Sequence, residues 1–485
     1  MSDETSNASG FDFGEITGSV GESPGVGGLG PGFEGGGTAV PAVPLAGEHP
    51  AGVAEQAHVS FRTAALYSSG NFSAGMWYAL NNFILPLFLG PLKMAPILIG
   101  LLSSTRSAEG AVLQPIIGAW SDRLWTPRFG RRRIFIVRFV PICAFFVILT
   151  PFVPALSSSG PLAALQRALG MDHTFFVLAL VALAIFLFTL TFNIMYDPYQ
   201  ALLADITPEA RRGWVNGIFQ MFGAGGQSFI LVVGAASLLD VNGLFVFCGI
   251  ALVLCFIPTV LGVREPRVLP GAKASHRYTV RDYWNGIRAD PQIQLYFANQ
   301  AFLWFGINAI TPFLTLFAEK EAHFSAAAAL SLSFILLLSS AVFVWPFGFL
   351  GDRIGLKQVF ILGMICMAGA AIAGTITHAI TPLYIIVFVA GIGNAAQTAS
   401  SFPLMTRLVP ADQMGLYTGI ESTVTSVAAP VSAFIAGLFI QTMGYSAMFP
   451  FVAVMFLASL VPLGLLRVEK SRVQQALRAA HGQTA

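Results

Sequence analysis

The chain has 485 residues, of which 55% are hydrophobic and only 10% charged, against about 25% charged in an ordinary soluble domain. That balance argues against a soluble protein and for a chain threaded repeatedly through a bilayer. The formal net charge of +2 averages two unlike parts, because residues 1–60 hold eight acids (Asp3, Glu4, Asp12, Glu15, Glu22, Glu34, Glu48, Glu55) and no Lys or Arg.

The remainder is strongly basic, but its Lys and Arg fall in short gaps between apolar runs, which fits a membrane better than nucleic acid. Residues 1–60 are Gly-rich and lack the basic start and apolar core of a cleavable signal peptide, so a disordered cytoplasmic tail is expected. Cys143, Cys248, Cys255 and Cys366 all lie inside apolar runs and read as small hydrophobes.

Twelve stretches have the roughly 20 apolar residues a membrane helix needs: 66–90, 94–118, 134–154, 174–197, 214–236, 244–263, 292–317, 326–350, 359–378, 382–404, 416–440 and 445–467. An all-α membrane protein of twelve helices is therefore predicted. With the N-terminus cytoplasmic, 21 of the 26 Lys and Arg fall on the inside, and only Lys93, Arg167 and Lys320 fall outside. Both termini are thus expected to be cytoplasmic in a multi-pass protein of the cell membrane. The organisation expected is a tail (1–60), a six-helix half (61–263), a cytoplasmic linker (264–291) with a surface helix near 278–288, a second six-helix half (292–467) and a C-terminal tail (468–485).

Six plus six helices invite a search for duplication, and three matches run in register. Trp77-x-x-x-Asn81 recurs as Trp304-x-x-x-Asn308 at an offset of 227. Gly118-Ala119-Trp120-Ser121-Asp122-Arg123 recurs as Gly348-Phe349-Leu350-Gly351-Asp352-Arg353 at 230. Pro208 to Gly217 matches Pro410 to Gly419 at 202, the offset falling because the connection at 155–173 is much longer than its partner at 379–381. Glycine lets helices approach closely, and an Asp just past a helix end pairs with Arg or caps a neighbour. Gly118, Asp122, Arg123 and Arg131, with Gly348, Asp352 and Arg353, are the candidate gating latch; plain positive-inside anchoring is the alternative.

These duplicated loops in a twelve-span chain resemble the major facilitator superfamily. The run Val112-Leu113-Gln114-Pro115-Ile116-Ile117-Gly118-Ala119-Trp120-Ser121-Asp122-Arg123, then Arg128-Phe129-Gly130-Arg131-Arg132-Arg133, resembles its sucrose-transporter and glycoside-pentoside-hexuronide:cation symporter branch. Asn193, followed after four residues by Pro198-Tyr199-Gln200-Ala201-Leu202-Leu203-Ala204-Asp205, agrees. The resemblance implies two six-helix pseudo-repeats, alternating access to a central site and cation-coupled sugar uptake. Two positions depart from that branch. Thr189 stands where those transporters tend to carry a carboxylate, and Ala108-Glu109 precedes Gly110 where they have Gly-Pro.

An ionisable side chain at membrane depth is costly, so each one is a functional candidate. Arg106 and Glu109 share a helix face, roughly 18 and 13 Å from Gly118 by helical rise. Glu109 is the expected proton-coupling carboxylate with Arg106 as its partner; a permanent ion pair is the alternative. Glu421 is the other intramembrane acid and extends the network or answers loop Arg residues. Asp197 is expected to answer Arg211 or Arg212. For a sugar, Trp77 with Asn81 and Trp304 with Asn308 offer an aromatic platform beside an amide, and Asn82, Asn193, Asn394 and Gln397 are further candidate hydrogen-bonding groups. Interhelical bonding is the alternative for each amide.

The sequence has no nucleotide-binding Gly-x-x-x-x-Gly-Lys-Ser/Thr, no Gly-x-Ser-x-Gly, and no His or Cys at metal-ligand spacing, so no enzyme, cofactor or metal is predicted. The expectation is a monomeric, proton-coupled sugar symporter whose partners are a small solute, a proton or other cation, and the lipid bilayer. An exporter or exchanger of another solute, or a receptor or assembly factor on the same fold, are the alternatives.

Overall fold

The structure is a computed structural model. It describes residues 60–468 except 208–210, 266–279, 289, 378 and 411–412. The expected N-terminal tail, most of the linker and the C-terminal tail lie outside the described residues.

The described residues form seventeen α-helices and no named strand. The first half contains α1 (Phe61–Ala79), α2 (Leu85–Leu89), α3 (Pro96–Arg123), α4 (Arg133–Leu149), α5 (Val153–Ser157), α6 (Gly160–Leu169), α7 (His173–Ile206), α8 (Arg212–Ala235) and α9 (Val241–Gly262). The linker helix α10 (Val280–Arg288) follows. The second half contains α11 (Pro291–Ile310), α12 (Leu314–Lys320), α13 (Ala326–Ile354), α14 (Leu356–Thr375), α15 (Ile380–Thr406), α16 (Met414–Met443) and α17 (Met448–Leu465).

Helix starts follow side-chain capping: Ser60, Asp172, Asp240, Asp290 and Ser325 each accept a backbone N–H of the first turn of the helix they precede. Among the described residues, eleven spans are long and apolar enough to cross a bilayer. The twelfth expected span, 94–118, is α3; its 28 residues are long enough to cross, but Arg106, Glu109, Gln114 and four serines make it more polar. The 155–173 connection is not a plain loop, since α5 and α6 occupy it. The α7 helix runs to Ile206, nine residues past the predicted end.

Small residues set the helix spacing. A Cβ on Gly226 of α8 would lie 1.8 Å from the Phe72 carbonyl oxygen of α1, and one on Gly75 of α1 would lie 2.0 Å from the Gly223 oxygen. Only glycine permits that crossing. The duplication also appears in capping: Arg133, opening α4, donates to the Val260 carbonyl near the end of α9. Lys357, in the first turn of α14, donates to the Gly464 and Leu466 carbonyls at the end of α17, at 2.8 and 2.7 Å. Each cation satisfies orphan carbonyls at a helix C-terminus.

The halves meet at the end that carries Lys93 and Lys320. Thr315 donates to the Phe83 carbonyl across the seam at 3.0 Å. Here α3 crosses α16, with Gly437 against Ile97 and Gly100 against the Ala433 carbonyl. At the Arg-rich end a Cβ on Gly118, Gly213, Gly217 or Gly348 would meet nothing within 4 Å.

Candidate functional site

Two connected cavities lie between the halves. The one nearer the closed end, about 130 Å³, is lined by Tyr78, Asn81, Asn82, Ser103, Ser104, Arg106, Ser107, Asn308 and Thr311. The other, about 340 Å³, shares Tyr78, Arg106, Ser107 and Asn308 and adds Gln114, Asn193, Trp304, Ser422, Thr425 and Ser426. Apart from Arg106, the polar groups on these walls are neutral amides and hydroxyls.

Two helical stripes build these walls. Ser103, Ser107, Gly110 and Gln114 follow one face of α3, and Ser422, Thr425, Ser426 and Ala429 follow one face of α16. That periodicity is a usable signal for Ser103, Ser107, Ser422, Thr425 and Ser426, which belong to no motif. Tyr78 had no such signal. Asn81 and Asn82 are consecutive yet both reach the cavity, because Leu80–Ile84 forms a π-helical turn that shifts the register. Asn81 donates to the Ser103 carbonyl at 2.9 Å, and its Oδ1 has no partner.

Arg106 lies over the Tyr78 ring, 4.4 Å from its centroid, with the Phe192 and Tyr196 rings at 5.8 and 5.9 Å. Its Nη2 donates to the Tyr78 hydroxyl, and its buried Nε has no partner. The expected Arg106–Glu109 ion pair does not form. Glu109 instead accepts from Thr189 Oγ1 at 2.8 Å and from Asn193 Nδ2 at 3.2 Å, both on α7. Asn193 also donates to the Arg106 carbonyl at 3.1 Å, which ties α7 to this stretch of α3. Asp197 lies nine residues inside the end of α7, facing Arg106 and Gln114 rather than Arg211 or Arg212, and its Oδ2 has no hydrogen-bond partner.

The two Trp-x-x-x-Asn motifs diverge. Asn81 and Asn308 both line the cavity, and so does Trp304, but Trp77 does not. Trp77 is 0% exposed and stacked on Phe192 at 3.7 Å, so its expected role as a sugar platform is corrected to core packing. Trp304 keeps a buried Nε1 without a partner, while Asn308 donates to the Trp304 carbonyl at 2.8 Å. Asn394 and Gln397 also stand apart from the central cavity. Asn394 donates to Ser340 at 2.9 Å beside an apolar pocket lined mostly by the second half, and Gln397 is buried and accepts from Thr398 at 3.3 Å.

Glu421 is bound within the second half, where it accepts from Gln300 at 2.8 Å and Tyr296 at 3.4 Å.

At the Arg-rich end Arg131, one of the expected gating residues, meets two further acids. Arg131 pairs with Asp205 at 2.6 Å and Glu265 at 3.6 Å, and Arg132 pairs with Asp205 at 3.2 Å. Glu265 also accepts the Arg132 backbone N–H, and Arg132 donates to Ser121. Burial pushes the Glu265 carboxyl above its ordinary range, against the pull of the backbone N–H groups around it. Asp352 and Arg353 are exposed, and the side chain of Asp122 lies outside the described residues. The clamp therefore joins α3, α7 and the end of α9 through acids that sequence proximity did not suggest.

Residues 67–345 and 300–483 match the Major Facilitator Superfamily. The chain belongs to that family. Its fold is similar to that of the nucleoside transporter NupG (TM-score 0.64, 12% identity, 84% of this chain and 100% of the other). It is also similar to a bacterial homologue of the iron transporter ferroportin in an inward-facing state (TM-score 0.62, 15% identity, 84% and 99% covered). In sequence it is 27% identical over 158 residues to the Tetracenomycin C resistance and export protein of Streptomyces glaucescens, covering 33% of this chain and 29% of that one. It is 28% identical over 165 residues to the lysosomal dipeptide transporter MFSD1 of Bos taurus, covering 33% and 34%. The chain thus spans about a third of the length of these relatives. It is a multi-pass membrane protein of this superfamily.

Proposed function

We propose that the protein is a proton-coupled symporter of a sugar, working as a monomer by alternating access in the cell membrane. The observation that carries the reading is the cavity itself. Amides and hydroxyls from both halves converge there with the rings of Tyr78 and Trp304, while Glu109 is held beside it by Thr189 and Asn193. Neutral hydrogen bonds and a ring face suit a polyhydroxylated solute. Glu109 supplies the proton site, and its neighbour Thr189 stands where the resembling branch tends to carry the acid. With the Arg-rich end cytoplasmic by the positive-inside rule, both termini are inside and the structure is inward-open. One proton moved through about 100 mV is worth roughly 2.3 kcal/mol, enough for about fifty-fold accumulation.

The test is uptake of labelled sucrose, maltose and glucose into proteoliposomes with and without an inward proton gradient. Accumulation in the wild type that is lost in Glu109→Gln, with exchange persisting, supports the reading. No sugar signal under any condition refutes the substrate. A second reading, export or exchange of another small solute, is favoured by Arg106, a guanidinium in the cavity without an ion-pair partner among the described residues.

A further inference from the structure

The second half holds a carboxylate built on the same plan as Glu109. Glu421 stands seven residues inside α16, roughly 10 Å from its start by helical rise, next to the cavity-lining Ser422. Its Oε1 accepts from Gln300 Nε2 at 2.8 Å and from the Tyr296 hydroxyl at 3.4 Å, both on α11. Ser401 of α15 closes the group, its Oγ accepting from Gln300 at 3.0 Å and lying 3.2 Å from the Tyr296 oxygen. Glu109 on α3 is held the same way by two neutral donors of α7.

The partners of Glu421 are all uncharged. On α3, which packs against α16, the charged groups are Arg106, Glu109, Asp122 and Arg123; on α10 they are Arg281, Asp282 and Arg288. No ion pair joins any described side chain among these to Glu421. The other titratable groups near α16 on these elements are Tyr283 of α10 and Tyr296 of α11, and only Tyr296 bonds to it.

Gln300 is 1% exposed and its Oε1 is buried without a partner. That orphan acceptor is what a protonated Glu421 requires. The Nε2–H to Oε1 bond is already half of an acid–amide pair, and an O–H on the other carboxyl oxygen completes it by donating to Gln300 Oε1.

We infer that Glu421 is a second proton-binding site beside the one at Glu109, so that one transport cycle carries two protons. The two sites ride on α3 and α16, the helices that cross where the halves meet. The inference rests on the proton-symport reading for its role in transport, but proton binding itself is testable without a substrate.

The experiment is a pH titration of the full chain in proteoliposomes by infrared difference spectroscopy, following the protonated-carboxyl C=O stretch, in Na⁺ and in K⁺ salts. Glu421→Gln and Glu109→Gln should each remove a different titrating carboxyl band from the wild-type spectrum, and Glu421→Asp should regain the first. A Glu421→Gln spectrum identical to wild type overturns the site, as does a band that responds to Na⁺ at fixed pH. In sucrose accumulation against an imposed pH step, two protons predict about hundred-fold per unit and one about ten-fold. The slope should fall from the first to the second in Glu421→Gln, and an unchanged slope overturns the two-proton cycle. Absence of uptake of sucrose, maltose and glucose alike in wild type would refute the sugar reading while the infrared result still decides the site.

Discussion

Thr189 Oγ1 donates a 2.8 Å hydrogen bond to Glu109 Oε1, joining α7 to α3 at the wall of the central cavity. The carboxylate that resembling sugar symporters tend to carry on the fourth span is thus met here by one from the second. A hydrogen bond to a charged group contributes about 1.5–3 kcal/mol. Thr189→Val should lower gradient-driven uptake about ten-fold or more, and Thr189→Ser should restore most of it. Moving the acid back, with Thr189→Asp in a Glu109→Gln background, should recover part of the lost accumulation. No recovery in proteoliposome uptake would show that the acid must sit on α3.

Arg106 is held by a ring face and a hydroxyl rather than by a carboxylate. A desolvated cation–π contact contributes about 2 kcal/mol and favours the flat guanidinium over an ammonium. Arg106→Ala should weaken apparent substrate affinity about ten-fold or more, and Arg106→Lys should recover only part of that. The check is the KM of uptake for both variants. Full rescue by lysine would mean that charge alone matters at this position.

Most of the architecture was legible because membrane helices write themselves in composition: the predicted spans and the linker helix recur in the structure with shifted ends. The site was legible only in part. Asn81 and Asn82 were both named, but nothing in the pattern announces a π-helical turn that lets neighbours share a wall. The repeated loops point to Asp122 and Asp352, but no local pattern announces that the chain also brings Asp205 and Glu265 to Arg131 from 74 residues or more away. Repetition pointed to Trp77 and Trp304 together, yet a helical stripe does not say whether its ring meets a cavity or a packed Phe192.

That last pair makes a direct comparison. Trp77 is fully buried among Phe188, Phe192 and Tyr78. Removing such a side chain costs about 3–5 kcal/mol. Trp77→Ala should therefore lower the melting temperature and yield of the purified protein. Trp304→Ala should lower substrate affinity with a smaller effect on melting, because that ring faces the cavity. If the two variants exchange these phenotypes, the assignment of core and cavity tryptophan is reversed.

The clamp at the Arg-rich end gives a pH signature of known sign. The Glu265 side chain is 1% exposed, and burial, with the like charge of Asp205, pushes its carboxyl up against the pull of the Arg131, Arg132 and Arg133 backbone N–H groups. A folded-state pKa above the unfolded value, about 4.3, means that the native state binds more protons than the unfolded chain in the window between the two. Stability then falls as pH rises through that window and levels off above the raised value. Glu265→Gln has no proton to lose there, so its melting temperature should be flatter with pH across the same window, while Asp205→Asn should keep some slope. Parallel pH–melting curves for wild type and Glu265→Gln in detergent would show that the clamp carboxylate titrates alike in both states.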